Sequence, residues 1–189
     1  MLLISMLFSA GCAFVDKQVS LNPVDAGLPE PQAIGGSLRL TIRDQRRPDL
    51  RPLVGHVKNG YGMKTAGVVS DREPAAWLAD CISREMARAG VQVHLARSEQ
   101  DSSPSARELA LDLTKCYVQA YWNFGAEVSV RMTLKVGERT FFSDREYFGK
   151  AINGKRETGT AVSYQATLEL AMGDLLAKLI PDLLKAMNS

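Results

Sequence analysis

The sequence predicts an α+β domain, a mostly antiparallel β-sheet with two α-helices packed on one face. Three observations carry this. The run from Ala126 to Val136 sets Val128, Val130, Met132 and Leu134 against Glu127, Ser129, Arg131, Thr133 and Lys135, one dry face and one wet. Two stretches, Trp77 to Met86 and Tyr164 to Leu179, repeat their apolar residues at intervals of three and four, as amphipathic helices do. Consecutive strands also outnumber strand–helix–strand crossovers, which favours hairpins and meanders.

Composition bounds the rest. The chain has 189 residues, enough for one domain, and its 46% hydrophobic and 23% charged content is that of a globular protein. Twenty-three Lys and Arg against 21 Asp and Glu leave a net charge of +2, too little to grip a phosphate backbone, so no nucleic-acid partner is expected. Two histidines and three dispersed cysteines offer little for a metal centre, and neither a metal nor a cofactor is expected.

The first eleven residues, MLLISMLFSAG, are uncharged and mostly apolar. They are too few to span a hydrocarbon core as a helix, which takes about 20 residues, and read as the apolar part of a signal peptide. The order Ser9-Ala10-Gly11-Cys12 resembles the lipobox of bacterial lipoproteins, which implies a lipid-modified Cys12 as the first mature residue. Ala13 in place of aspartate resembles the pattern sent to the outer membrane. From Phe14 to Gly36 three prolines, three glycines and no period predict a flexible tether, so that residues 12–36 join the lipid to a single periplasm-facing domain at 37–189.

Within that domain, SLRLTIRD from Ser37 to Asp44 alternates as a half-buried strand. Asn59-Gly60 predicts a small hairpin between a strand near His56 to Lys58 and another near Lys64 to Val69. Ser70 or Asp71 is placed to cap the first helix, with Glu73 at capping-box spacing, Pro74 in the first turn and Gly90 at its exit. Arg84, Glu85 and Arg88 fall mostly on its polar side. Strands follow from Val91 to Leu95, from Leu109 towards Val118, through the long alternating run, and back from Arg139 to Lys150 after a turn at Gly137-Glu138. Pro181 should bend or end the last helix, because it removes a backbone donor.

Taken together, LRLTIRDQR at Leu38 to Arg46, the first helix with its ARAGVQV exit, and LALDLTKCYVQA from Leu109 resemble the YajG-like family of bacterial envelope lipoproteins. That resemblance implies a periplasm-facing domain anchored to the outer membrane and no particular reaction.

Each remaining candidate carries a chemical and an architectural reading. Cys81 and Cys116 are an even pair in an oxidising compartment, open to a disulfide or to two buried thiols behaving as small hydrophobes. Asp44 and Arg46 follow the first strand, where the arginine could hold a carboxylate or phosphate of a partner, or merely close a solvated turn. Tyr121 and Trp122, with Tyr117 and Phe124, crowd a turn, either as protein-binding anchors or as a cap on the core. The expected function is therefore a non-enzymatic, outer-membrane-anchored lipoprotein that binds or scaffolds an envelope protein, attached to the membrane through its lipid. The alternative is an auxiliary lipoprotein of an ABC-type envelope transport system. A thiol or peptidoglycan-directed enzyme would need His56 or His94 beside Cys116 or beside a carboxylate pair.

Overall fold

A computed structural model describes residues 15–96, 107–120, 123–153 and 160–189. Cys12, Tyr121 and Trp122 lie outside the described residues. The strands are β1 (Lys17–Val19), β2 (Ser37–Asp44), β3 (Leu53–Lys58), β4 (Lys64–Ser70), β5 (Gln92–Leu95), β6 (Arg107–Ala120), β7 (Phe124–Val136) and β8 (Arg139–Asn153). Helix α1 (Pro74–Arg88) separates β4 from β5, and α2 (Ala161–Met187) closes the chain.

The eight strands form one sheet, and it is mixed, which corrects the expectation of a mostly antiparallel one. Strands β6, β7 and β8 do meander antiparallel, and β3 pairs antiparallel with β4. But β2 runs parallel to both β5 and β6, β3 runs parallel to β6, and β1 runs parallel to β4. Strands β2, β3, β5 and β6 therefore share one direction, and β5, entered from α1, runs opposite to β4, from which α1 departs.

Strand β6 is long enough to serve two neighbours along one edge. Its first half pairs with β2, from Arg39 opposite Glu108 to Asp44 opposite Leu113, and its last residues pair with β3, from Gly55 opposite Val118 to Val57 opposite Ala120. The sheet therefore forks beside Leu113, where β6 also carries a bulge before Lys115.

Inward-facing Leu38, Leu40, Leu109, Leu111, Leu113, Val128, Val130, Met132 and Leu134 build the core. Helix α1 lies against β2 and β5, while α2 lies against β6, β7, β8 and β1. Helix α2 approaches so closely that its backbone rests on Gly149 of β8, where any side chain would meet the Ala171 carbonyl.

Several local expectations are revised. Residues 17–36 are not a free tether: they form a strap bound along the domain. Val19 and Leu21 are buried. The Leu21 N–H donates to Asp71 Oδ1 at 3.1 Å, Val24 N–H to Cys81 Sγ at 3.3 Å, and Ala26 N–H to Glu85 Oε1 at 2.6 Å. Trp77 Nε1 donates to the Asn22 carbonyl at 2.5 Å, and Arg88 Nη2 to the Leu28 carbonyl at 3.0 Å. Glu85 is thus buried beneath the strap, not on a wet face, and its charge is balanced by Arg88 at 3.1 Å. Asp71 is drawn into holding the strap and Ser70 ends β4, so neither caps α1; Glu73 occupies the N-cap position without a side-chain bond. Gly90, at φ +71°, does end the helix in the left-handed region.

The hairpin between β3 and β4 turns through a five-residue loop instead of a two-residue one. Asn59 Oδ1 accepts from the amides of Tyr61 and Met63, and Gly62, at φ +80°, takes the left-handed position. Pro181 does not end α2, which runs on to Met187. The proline sits on the exposed side, where water reaches the carbonyl it leaves unpaired, while Leu179, Ile180 and Leu183 around it stay buried.

Candidate functional site

The sheet's outer face carries the most organised set of polar side chains. Alternation puts Arg39, Thr41 and Arg43 of β2 on that face, with Glu108, Ala110 and Asp112 of β6 and Arg131, Thr133 and Lys135 of β7. Register then sorts them into rungs: Arg39–Glu108–Lys135, Thr41–Ala110–Thr133 and Arg43–Asp112–Arg131. Arg39 Nη1 lies 3.2 Å from Glu108 Oε1, and Arg43 Nε lies 2.7 Å from Asp112 Oδ1. Each acid is flanked by two cations, and the rung of small residues between them leaves a cleft of about 320 Å³. On the adjoining rung the Nε of Arg131, whose strand neighbour on β8 is Glu146, is buried without a hydrogen-bond partner.

The cleft's own lining sets Arg39, Arg43 and Lys135 against Glu108, which makes it electropositive. Such a surface suits an anionic group on a partner, with arginine forks matched to a carboxylate. The periodicity of β2, β6 and β7 already put these residues on wet faces, yet the parallel pairing of β2 with β6, which aligns the rungs, has no local signal.

Asp44 and Arg46 prove to be architecture. Arg46 Nη2 lies 2.7 Å from Asp44 Oδ2 and its Nε 3.0 Å from Oδ1, a two-pronged pair. The same guanidinium donates to the carbonyls of Arg51 at 2.8 Å and Leu53 at 3.3 Å. With side chains only 8% and 11% exposed, Arg46 and Asp44 lock the fork where β2 leaves β6 and β3 takes its place, so they do not form a contact surface.

Cys81 and Cys116 are free thiols, both buried, so the bridge that the sequence left open is not formed. Cys81 sits on α1 under the strap; Cys116 faces the core from β6, opposite Val128. Burial pushes the thiols up to about 11 and about 12 respectively. Both are accordingly expected to resist alkylation in the folded protein at pH 8 and to react fully in denaturant, with intact mass as the readout. Rapid labelling without denaturant would contradict their burial.

His56 Nδ1 contacts the Tyr117 hydroxyl at 3.2 Å. Burial, then the nearby Lys64 and Lys58 charges, lower its pKa. Tyr117 and Cys116 are neighbours in one strand and point to opposite faces, so His56 is not beside the Cys116 thiol. His94 is exposed on β5, opposite Arg39. Of the aromatic group, Phe124 turns inward and meets Tyr164 edge to face at 5.0 Å.

With that geometry in view, the fold has counterparts among solved structures. It is similar to a protein from Xanthomonas campestris described as DUF330, with a TM-score of 0.57 and 13% identity, over 92% of this chain and 99% of that one. An uncharacterised protein aligns with a TM-score of 0.50 and 10% identity, over 87% of this chain and 99% of its own. The likeness is one of fold. No protein-family model matches the sequence, and no curated protein matches it significantly.

Proposed function

We propose that this chain is a YajG-like envelope lipoprotein, anchored to the outer membrane by acylated Cys12 with its domain facing the periplasm, and that it works as a non-enzymatic binding or scaffolding module. The observation that carries the reading is the uncharged apolar run ending in Ser9-Ala10-Gly11-Cys12 a few residues before a folded domain. Peptidase access to the bond before Cys12 needs small residues there, and acyl chains on the sulfur each add about 0.8 kcal/mol per buried CH₂. The segments LRLTIRDQR, ARAGVQV and LALDLTKCYVQA support the YajG-like assignment, as the residues that carry the resemblance.

The electropositive cleft on β2, β6 and β7 is the surface assigned to the envelope partner, which meets it through acidic side chains. Intact mass spectrometry of the native protein tests the anchor: the expected product begins at Cys12 and carries acyl chains, while Cys12→Ala accumulates with its leader attached. An unmodified full-length chain in the wild type would overturn the assignment. For the partner, a photo-crosslinking residue at Thr133 is expected to capture an envelope protein in cells, and charge reversal at Lys135 to abolish the adduct.

A further inference from the structure

We infer that one end of the domain, formed by the β3–β4 hairpin tip, the chain's entry into β1, the end of β8 and the first turn of α2, is a membrane-contacting surface that rests on the phospholipid headgroups. The inference builds on the acylated Cys12 proposed above.

Strand direction locates that end. Strand β3 is parallel to β6 and points the same way as its final residue, Ala120, so the loop after Lys58 projects beyond the sheet there. Strand β4 returns from the tip, and β1 is parallel to β4, with Lys17 beside Val68 and Asp16 Oδ1 accepting the Gly67 amide at 2.6 Å. Read backwards, the chain before Lys17 therefore heads for the hairpin tip. Strand β8 finishes at the same end, where Asn153 lies opposite Phe124, and the Phe124–Tyr164 contact brings the start of α2 there too.

The exposed apolar residues gather at this end. Of eight large hydrophobic side chains exposed among the described residues, Val15, Tyr61, Met63, Ile152 and Val162 belong to it; Tyr61 is 87% and Ile152 79% exposed. Leu95, at the far end, is the contrasting case. Lys58 and Lys64 stand among them at the hairpin, Lys58 Nζ donating to Gln119 Oε1 at 2.8 Å. A tyrosine, scattered aliphatics and lysines are the side chains that settle at the headgroup level and attract anionic lipid.

Chain length supplies the occupant. Only Ala13 and Phe14 separate Cys12 from Val15, so the acylated sulfur's residue lies within about 11 Å of the described domain even when the chain is fully extended. Because the strap is bound from Lys17 onward, no further slack is available, and the end that bears Val15 must face the bilayer.

The test uses the full acylated protein in vesicles of phosphatidylethanolamine and phosphatidylglycerol, with an environment-sensitive fluorophore on Tyr61→Cys or, separately, on Leu95→Cys. Lipids carrying a headgroup nitroxide are expected to remove most of the emission from position 61 and little from position 95. Intact mass of the same sample reads Cys12 independently. Quenching at 61 and not at 95 upholds the surface whatever the mass shows. Emission at 61 that survives the nitroxide overturns it, as does equal quenching at both positions, and the mass then tells whether the anchor failed as well.

Discussion

Replacing Gly149 with alanine is expected to destabilise the domain by about 3 kcal/mol or more, at the upper end of what overpacking costs. The new Cβ would meet the Ala171 carbonyl oxygen and lie 2.5 Å from the Leu175 amide nitrogen, both main-chain atoms of α2. A side chain can rotate away from such a clash; a helix backbone cannot, so α2 must lift from β7 and β8. Urea unfolding should show a lower midpoint, and melting should fall by several degrees, since about 1 kcal/mol moves a chain of this size by about 2–4 °C. Gly125→Ala is the control, because nothing lies within 4 Å of its Cβ position. That variant should stay within about 1 kcal/mol of the wild type.

Arg46→Ala is expected to cost about 3–5 kcal/mol, the penalty for leaving a buried carboxylate without its cation. Besides Asp44, the substitution strips donors from the carbonyls of Arg51 and Leu53, so the connection into β3 loosens first. Hydrogen exchange should rise at residues 53–57 before the β6–β8 meander is affected. Arg46→Lys should recover only part of the loss, because an ammonium cannot present the two parallel N–H groups that match Asp44. A double-mutant cycle with Asp44→Ala should return a coupling of about 1–3 kcal/mol. Additive losses would mean the pair does not weld the fork.

Much of this architecture was legible in local patterns. The alternation of β2, β6 and β7, the apolar face of α1 and the left-handed exit at Gly90 all follow from periods of two and 3.6 residues and from glycine's freedom. Strand direction was not legible, because Leu38, Leu40 and Ile42 alternate identically whether β2 meets a parallel or an antiparallel neighbour. The strap escaped for a related reason: a segment with three prolines and no period looks unstructured, and its partners Asp71, Trp77, Cys81 and Glu85 lie 50 to 59 residues away. The same long-range pull explains why Asp71 fails as a cap and why Glu85 is buried. At the site, Asp44 and Arg46 showed their affinity in sequence, whereas their burial depended on β3 arriving beside β6.

The strap sets an order of events. Its docking groove is made of residues synthesised well after it, so the N-terminal stretch stays slack until α1 and β4 exist. Once they form, closing the strap takes up that slack and draws the chain at Asp16 in against the folded body. A recombinant version trimmed to begin at Ser37 would lose β1 and uncover Cys81 and Glu85, and any transplanted anchor belongs upstream of Asp16.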